Sequence, residues 1–241
     1  MLFRSLHRHL KPRFSVLPKR HDSYDPSPPL INANFKDRSL SKKFQFAVAP
    51  SDILCLYGPP ESGKSSLLHL LSKLISRPRS RYIGHCEVMN SDILSSRPPP
   101  FPLGGLGLCI ERDLFDDNFS AYEQLWFIGK LRSVPSQTLY AQIFFITKLL
   151  QLDAHLDKKI RYLSGGNRRK VSVACALLAS TNLLLIDEPT RCLDPSVAKS
   201  LLLALQFLVH NLKISLLFTS KKVEEHLLIA DSVLQMSPKT E

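Results

Sequence analysis

Gly58-Pro59-Pro60-Glu61-Ser62-Gly63-Lys64-Ser65 fits the pattern G-x-x-x-x-G-K-[ST], a set of residue types suited to holding a polyphosphate. The glycines allow a turn tight enough to aim backbone N–H groups at phosphate oxygens, and a following helix adds the field of its N-terminus. Lys64 would reach the outer phosphates as a cation, and the Ser65 hydroxyl would ligate Mg²⁺. Gly58, Pro59, Pro60, Glu61, Ser62, Gly63 and Ser66 complete the candidate nucleotide-binding set around them. Two members are odd: Pro60 has no N–H to offer. Glu61 sets a carboxylate beside a polyanion, which repels it unless the side chain points outward.

A second chemical signal lies downstream. Leu183-Leu184-Leu185-Ile186-Asp187-Glu188-Pro189 is an apolar run that ends in two acids. Asp187 is placed to hold Mg²⁺ through its water shell. Glu188, one residue on, is placed to polarise an attacking water. The bland alternative is that two acids merely end a buried strand before Pro189. Taken with the phosphate loop, the pair points to nucleotide chemistry.

These residues need a scaffold, and the apolar pattern supplies one. Ile53–Tyr57 reads as a buried strand stopping at Gly58, and Leu67, Leu68, Leu71, Leu74 and Ile75 repeat with helical spacing from Lys64 to Ile75. Phe44–Val48 alternates as an edge strand would, and Leu106–Ile110 reads as another strand. Helical stretches are expected at Ala121–Leu131, Ser136–Leu150, Asn167–Ala179 and Pro195–Val209, and strands at Leu183–Ile186 and Ile214–Phe218, before a last helix and strand ending near Met236. The proline-rich stretch from Ser95 to Gly105 is excluded from regular structure. Apolar strands alternating with amphipathic helices predict an α/β fold: a mostly parallel P-loop core with antiparallel edge strands and an inserted helical subdomain over about residues 112–162.

Composition limits the alternatives. The 241 residues suit one domain, 31–241, behind a basic, proline-ended leader over 1–30. The formal charge is +11, but the first 21 residues hold six basic side chains and no acid. Without a basic stripe on a structured element, no nucleic-acid partner is expected. Five scattered cysteines without a C-x-x-C pair argue against a disulfide framework or a zinc site. No run approaches the ~20 apolar residues that a spanning helix needs, so any transported cargo would need a channel from other polypeptides. The first 21 residues of the leader are Arg-rich, acid-free and amphipathic, as a mitochondrial transit peptide is; a plain basic tail is the other reading.

Between the two chemical motifs stands Leu163-Ser164-Gly165-Gly166-Asn167. With the phosphate loop upstream and the acid-ended strand downstream, the chain resembles the nucleotide-binding domain of ATP-binding cassette (ABC) proteins over about residues 30–237. Within that family it is most similar to subfamily A, through Gly107-Leu108-Cys109, Ala121–Phe127 and the Thr190–Pro195 loop. The resemblance implies ATP and Mg²⁺ as cofactors and a second nucleotide-binding domain as partner. Ser164, Gly165 and Gly166 would then contact the ATP held by that partner. It further implies a transmembrane transporter subunit and a place on the cytosolic face of a membrane, with the mitochondrion as the alternative. Phe35 would stack on adenine or belong to the core. Glu111 stands where the family has a metal-contacting glutamine and would still bind Mg²⁺ with Ser65 and Asp187, while Ser220 aligns with the family's switch histidine and joins Glu188 in the catalytic set. With those two helpers replaced, the expectation is firm ATP binding and slow hydrolysis, in a transporter subunit or in an ATP-holding module that regulates an active cassette.

Overall fold

The computed structural model describes residues 28–38, 42–74, 79–95, 105–113, 115–179 and 181–237. The proposed leader lies almost wholly outside them, as does the proline run at 98–102. Three strands, β1 (Ile31–Asp37), β2 (Lys42–Val48) and β4 (Tyr82–Val88), with the short β5 (Ser91–Asp92), make an antiparallel sheet in the order β2-β1-β4-β5. The second sheet is parallel and holds β3 (Ile53–Tyr57), β6 (Leu106–Cys109), β7 (Leu183–Ile186), β8 (Ser215–Ser220) and β9 (Ser232–Gln235), ordered β6-β7-β8-β3-β9. The antiparallel strands are thus a layer of their own. Six helices complete the described part: α1 (Lys64–Leu71), α2 (Ala121–Leu131), α3 (Ser136–Leu149), α4 (Gly165–Leu177), α5 (Pro195–Leu212) and α6 (Val223–Ile229).

The central parallel strands β3, β7 and β8 are buried on both faces, which is why they read as apolar runs. Their period of two sorts the side chains between two cores. Leu54, Leu56, Leu183, Leu185 and Leu217 face α1 and the antiparallel sheet. Ile53, Cys55, Leu184, Ile186, Leu216 and Phe218 face the other way, onto α4, α5 and the α2–α3 pair. The helical block therefore shares a continuous core with the sheet.

Local signals set the helix ends. Ser120 accepts from the Glu123 N–H (3.1 Å) while Glu123 accepts from the Ser120 N–H (2.7 Å), a capping box that starts α2. The α1 spacing predicts a helix to Ile75, but the helix stops at Leu71. Lys73 adopts a left-handed φ of 57°, and the N–H groups of Lys73 and Leu74 turn back to the carbonyls of Leu70 and His69. Conversely α5 runs three residues past the expected Val209, closing where Lys213 turns left-handed.

Candidate functional site

The site lies at the carboxyl ends of the parallel strands, where β3 runs into the loop of residues 58–63. Gly63 caps α1 with φ 94°, a conformation open to glycine and strained for other residues. Glu61 adopts φ 62° with an exposed side chain, so the carboxylate does point outward. Lys64 is 5% exposed, and its ammonium donates to the Gly58 carbonyl (2.7 Å), the Pro59 carbonyl (2.6 Å) and the Ser62 hydroxyl (3.2 Å). The loop has folded around its lysine as around a charge. Burial pulls Lys64 below the ordinary lysine range, opposed by Glu188, deepened by Lys221 and opposed again by Asp187.

Ser65 and Asp187 meet although 122 residues separate them. The Ser65 hydroxyl donates to Asp187 Oδ1 at 3.1 Å. Thr219, on the strand between β3 and β7, donates to the same oxygen at 2.6 Å and accepts the Glu188 N–H at 2.9 Å. Asp187 Oδ2 is buried with no partner among the described residues. An orphaned carboxylate oxygen beside a serine hydroxyl is a donor set suited to a hard divalent cation and its water shell. The residues present fit Mg²⁺.

Glu188 carries a left-handed φ of 48°, a conformation that ordinary residues adopt at a cost and that marks functional turns. Its carboxylate forms an ion pair with Lys221, Oε1 to Nζ at 2.6 Å. That hydrogen bond holds Lys221 above the ordinary lysine range, against partial desolvation. Glu111 pairs with Arg191 at 2.9 Å and is half exposed, so the structure turns it to a cation. It does not join it to Ser65 and Asp187 by any bond among the described contacts.

Ser220, which the resemblance aligns with a switch histidine, makes its hydrogen bonds away from Glu188. It is 1% exposed, donates to Glu225 Oε2 (2.6 Å) and accepts the Lys222 N–H (2.9 Å). The same buried Glu225 accepts a hydrogen bond from Thr190. The side chain that reaches Glu188 is that of Lys221, which the spacing did not single out. Lys42 was missed too: its ammonium donates to the Ser62 carbonyl at 3.1 Å and to that of Ser237, tying β2 and the chain after β9 to the loop.

The Ser164-Gly165-Gly166 segment forms the start of α4. Ser164 is its N-cap, accepting the Asn167 N–H at 3.2 Å. A Cβ on Gly166 would come within 2.9 Å of Leu193 Cδ2, so a side chain there would push that methyl aside, and glycine lets the 190–195 loop pack without the shift. Arg169, 3% exposed, leaves the same helix to donate to the carbonyls of Ile110 (2.8 Å) and Asp187. It fastens α4 to the ends of β6 and β7. Phe35 is enclosed at 2% exposure, 5.1 Å from the Phe44 ring centroid and edge-on to Tyr82 at 5.8 Å, which is the core alternative.

A family model described as ABC transporter matches residues 41–191. The chain is 26% identical over 208 residues to the spermidine/putrescine import ATP-binding protein PotA of Fusobacterium nucleatum subsp. nucleatum, covering 86% of this chain and 53% of that protein. It is 30% identical over 200 residues to ABC transporter A family member 11 of Dictyostelium discoideum, covering 79% of this chain and 22% of the relative. The chain thus spans about half the length, or less, of the curated relatives it matches here. Among solved structures, one described as an inward-facing ABC transporter of metal-chelate type superposes with a TM-score of 0.69 at 21% identity, covering 86% of this chain and 79% of that one. That likeness is one of fold.

Proposed function

This chain belongs to the ABC transporter family, and from there we propose that it is an ATP-binding domain that holds ATP with Mg²⁺ and hydrolyses it slowly, coupled through a separate membrane subunit to transport. One observation carries the reading: Lys64 sits enclosed by loop oxygens, next to a Ser65–Asp187 pair whose second carboxylate oxygen is buried and unpartnered.

On this reading Lys64 exchanges the Gly58 and Pro59 carbonyls for oxygens of the outer phosphates, while the loop's N–H groups supply the rest of the cradle. Ser65 and Asp187 hold the cation, which when bound neutralises charge on the outer phosphates. Glu188 accepts a hydrogen bond from a water aimed at the terminal phosphorus. As the water oxygen bonds to phosphorus, its proton passes to Glu188 and the bond to the bridging oxygen breaks, leaving ADP and inorganic phosphate. The start of α4, with Ser164, Gly165 and Gly166, offers N–H groups to the terminal phosphate of an ATP held by a second such domain, homologous or identical. No described helix is long and apolar enough to cross a membrane. A membrane subunit that this domain serves from the cytosolic face would supply the path, and no nucleic-acid partner is proposed.

Titration calorimetry tests the binding. Wild-type protein with Mg²⁺ is expected to take up ATP, and Lys64→Ala to weaken uptake about 100-fold by removing a charge-assisted contact. Folded wild-type protein that takes up no ATP overturns the reading. Purification from membranes with ATP present tests the coupling: a co-purifying membrane polypeptide is expected, and a lone monomer speaks against transport. The second reading, an ATP-holding module paired with an active cassette, is favoured by the Lys221–Glu188 ion pair.

A further inference from the structure

We propose that Lys221 is a positioning residue that latches Glu188, holding its carboxylate in an ion pair that has to open before each hydrolysis. The inference rests on the ATP-binding reading above and adds a control to the same site. Three observations carry it. Lys221 Nζ lies 2.6 Å from Glu188 Oε1, a distance of direct, charge-assisted contact. The Glu188 backbone is fixed: its N–H is held by Thr219 at 2.9 Å, and its φ of 48° leaves few other arrangements. The lysine's backbone is fixed as well. Ser220 and Lys222 on either side of it are hydrogen-bonded to each other, and Ser220 is anchored on Glu225, which also binds Thr190 two residues beyond Glu188. Glu225 therefore braces both halves of the pair from behind.

A carboxylate oxygen engaged by an ammonium is not free to accept a hydrogen bond from water in the same direction. Hydrolysis then proceeds from the fraction of molecules in which the pair is open, and the rate falls by that fraction. Opening is possible because the Lys221 side chain is 41% exposed, leaving water to receive the ammonium, while that of Glu188 is only 17% exposed. The neighbouring acid offers no substitute, since Glu111 is paired with Arg191. Closed or open, Lys221 also adds positive charge near Lys64, which favours a polyanion in the loop. The latch thus slows turnover and leaves binding nearly untouched.

Lys221→Met keeps the length of the side chain and removes its charge. It is expected to raise the single-turnover hydrolysis rate about 10-fold, with ATP affinity changed by no more than about 3-fold. Lys221→Arg, which can still pair, should recover less than about a third of that gain, and adding Glu188→Gln should abolish it. An unaltered or lowered rate in Lys221→Met, with ATP bound, overturns the latch and leaves the binding proposal standing. Wild-type protein without ATP uptake removes both. A readout independent of nucleotide uses reductive methylation of the nucleotide-free chain, followed residue by residue by mass spectrometry. Lys221 should react several-fold faster in Glu188→Gln than in wild type, and equal rates mean that the pair does not form in solution.

Discussion

Glu61 occupies a position in the phosphate loop where the backbone is left-handed, with φ 62°, and the site is a cradle for negative charge. The conformation disfavours glutamate by about 1 kcal/mol, while the outward-pointing carboxylate leaves only a weak, solvent-screened repulsion. Glu61→Gly is therefore expected to raise thermal stability slightly and to change ATP binding by no more than about 2-fold, read by calorimetry in low salt. Single residues also mark the boundary of what sequence could disclose. Lys64, Ser65, Asp187 and Glu188 were legible because each stands at a fixed offset from the end of an apolar strand, and strand ends fix direction. Ser220 and Lys221 were not separable, because both flank the end of β8 and a shift of one position turns a side chain to another face. Only the geometry shows that the first binds Glu225 and the second Glu188.

Among elements, α2 shows how a few polar atoms start a helix that packing then completes. The Ser120–Glu123 box satisfies two N–H groups that would otherwise lack partners, and Glu123 is held below the ordinary glutamate range by its bonds to the Ser120 backbone and side chain. Ser120→Ala should lower stability by about 1 kcal/mol, visible as a lower urea midpoint with an unchanged slope. Leu125, which α2 sends into the core, keeps the helix docked once formed. The strands divided by their surroundings. The buried parallel ones announced themselves as apolar runs, whereas β4 reads Tyr-Ile-Gly-His-Cys-Glu-Val and is half exposed, so neither alternation nor continuous hydrophobicity reveals it. It becomes a strand because β1 offers it a full register of partners, from Ile31–Val88 to Asp37–Tyr82. Pairing of that kind is a tertiary fact, absent from any local window.

For the whole molecule, the buried cysteines make alkaline pH a test of the fold. Cys55 and Cys86 are each pushed up to about 12, first by burial and then by Glu225 and by Asp92 respectively, from an ordinary value of 9.0. Cys109 and Cys175 are raised as well, chiefly by burial. Between those limits the unfolded chain has lost thiol protons that the folded chain keeps. Stability is therefore complete below pH ~9 and falls as pH rises toward ~12, by at most about 1.4 kcal/mol per pH unit for each thiol. Urea midpoints should drop as pH rises from ~9 toward ~12, and the double change Cys55→Ala with Cys86→Ala should flatten the drop.

The strand order has one more consequence. β3 and β7 are not neighbours; β8 runs between them, and its Thr219 links the two sides of the cation pair. Ser65 and Asp187 meet only when three strands from distant parts of the chain are aligned at once. Uptake of a fluorescent nucleotide during refolding would then lag behind the gain of helix signal, timing the moment at which the middle of the sheet locks.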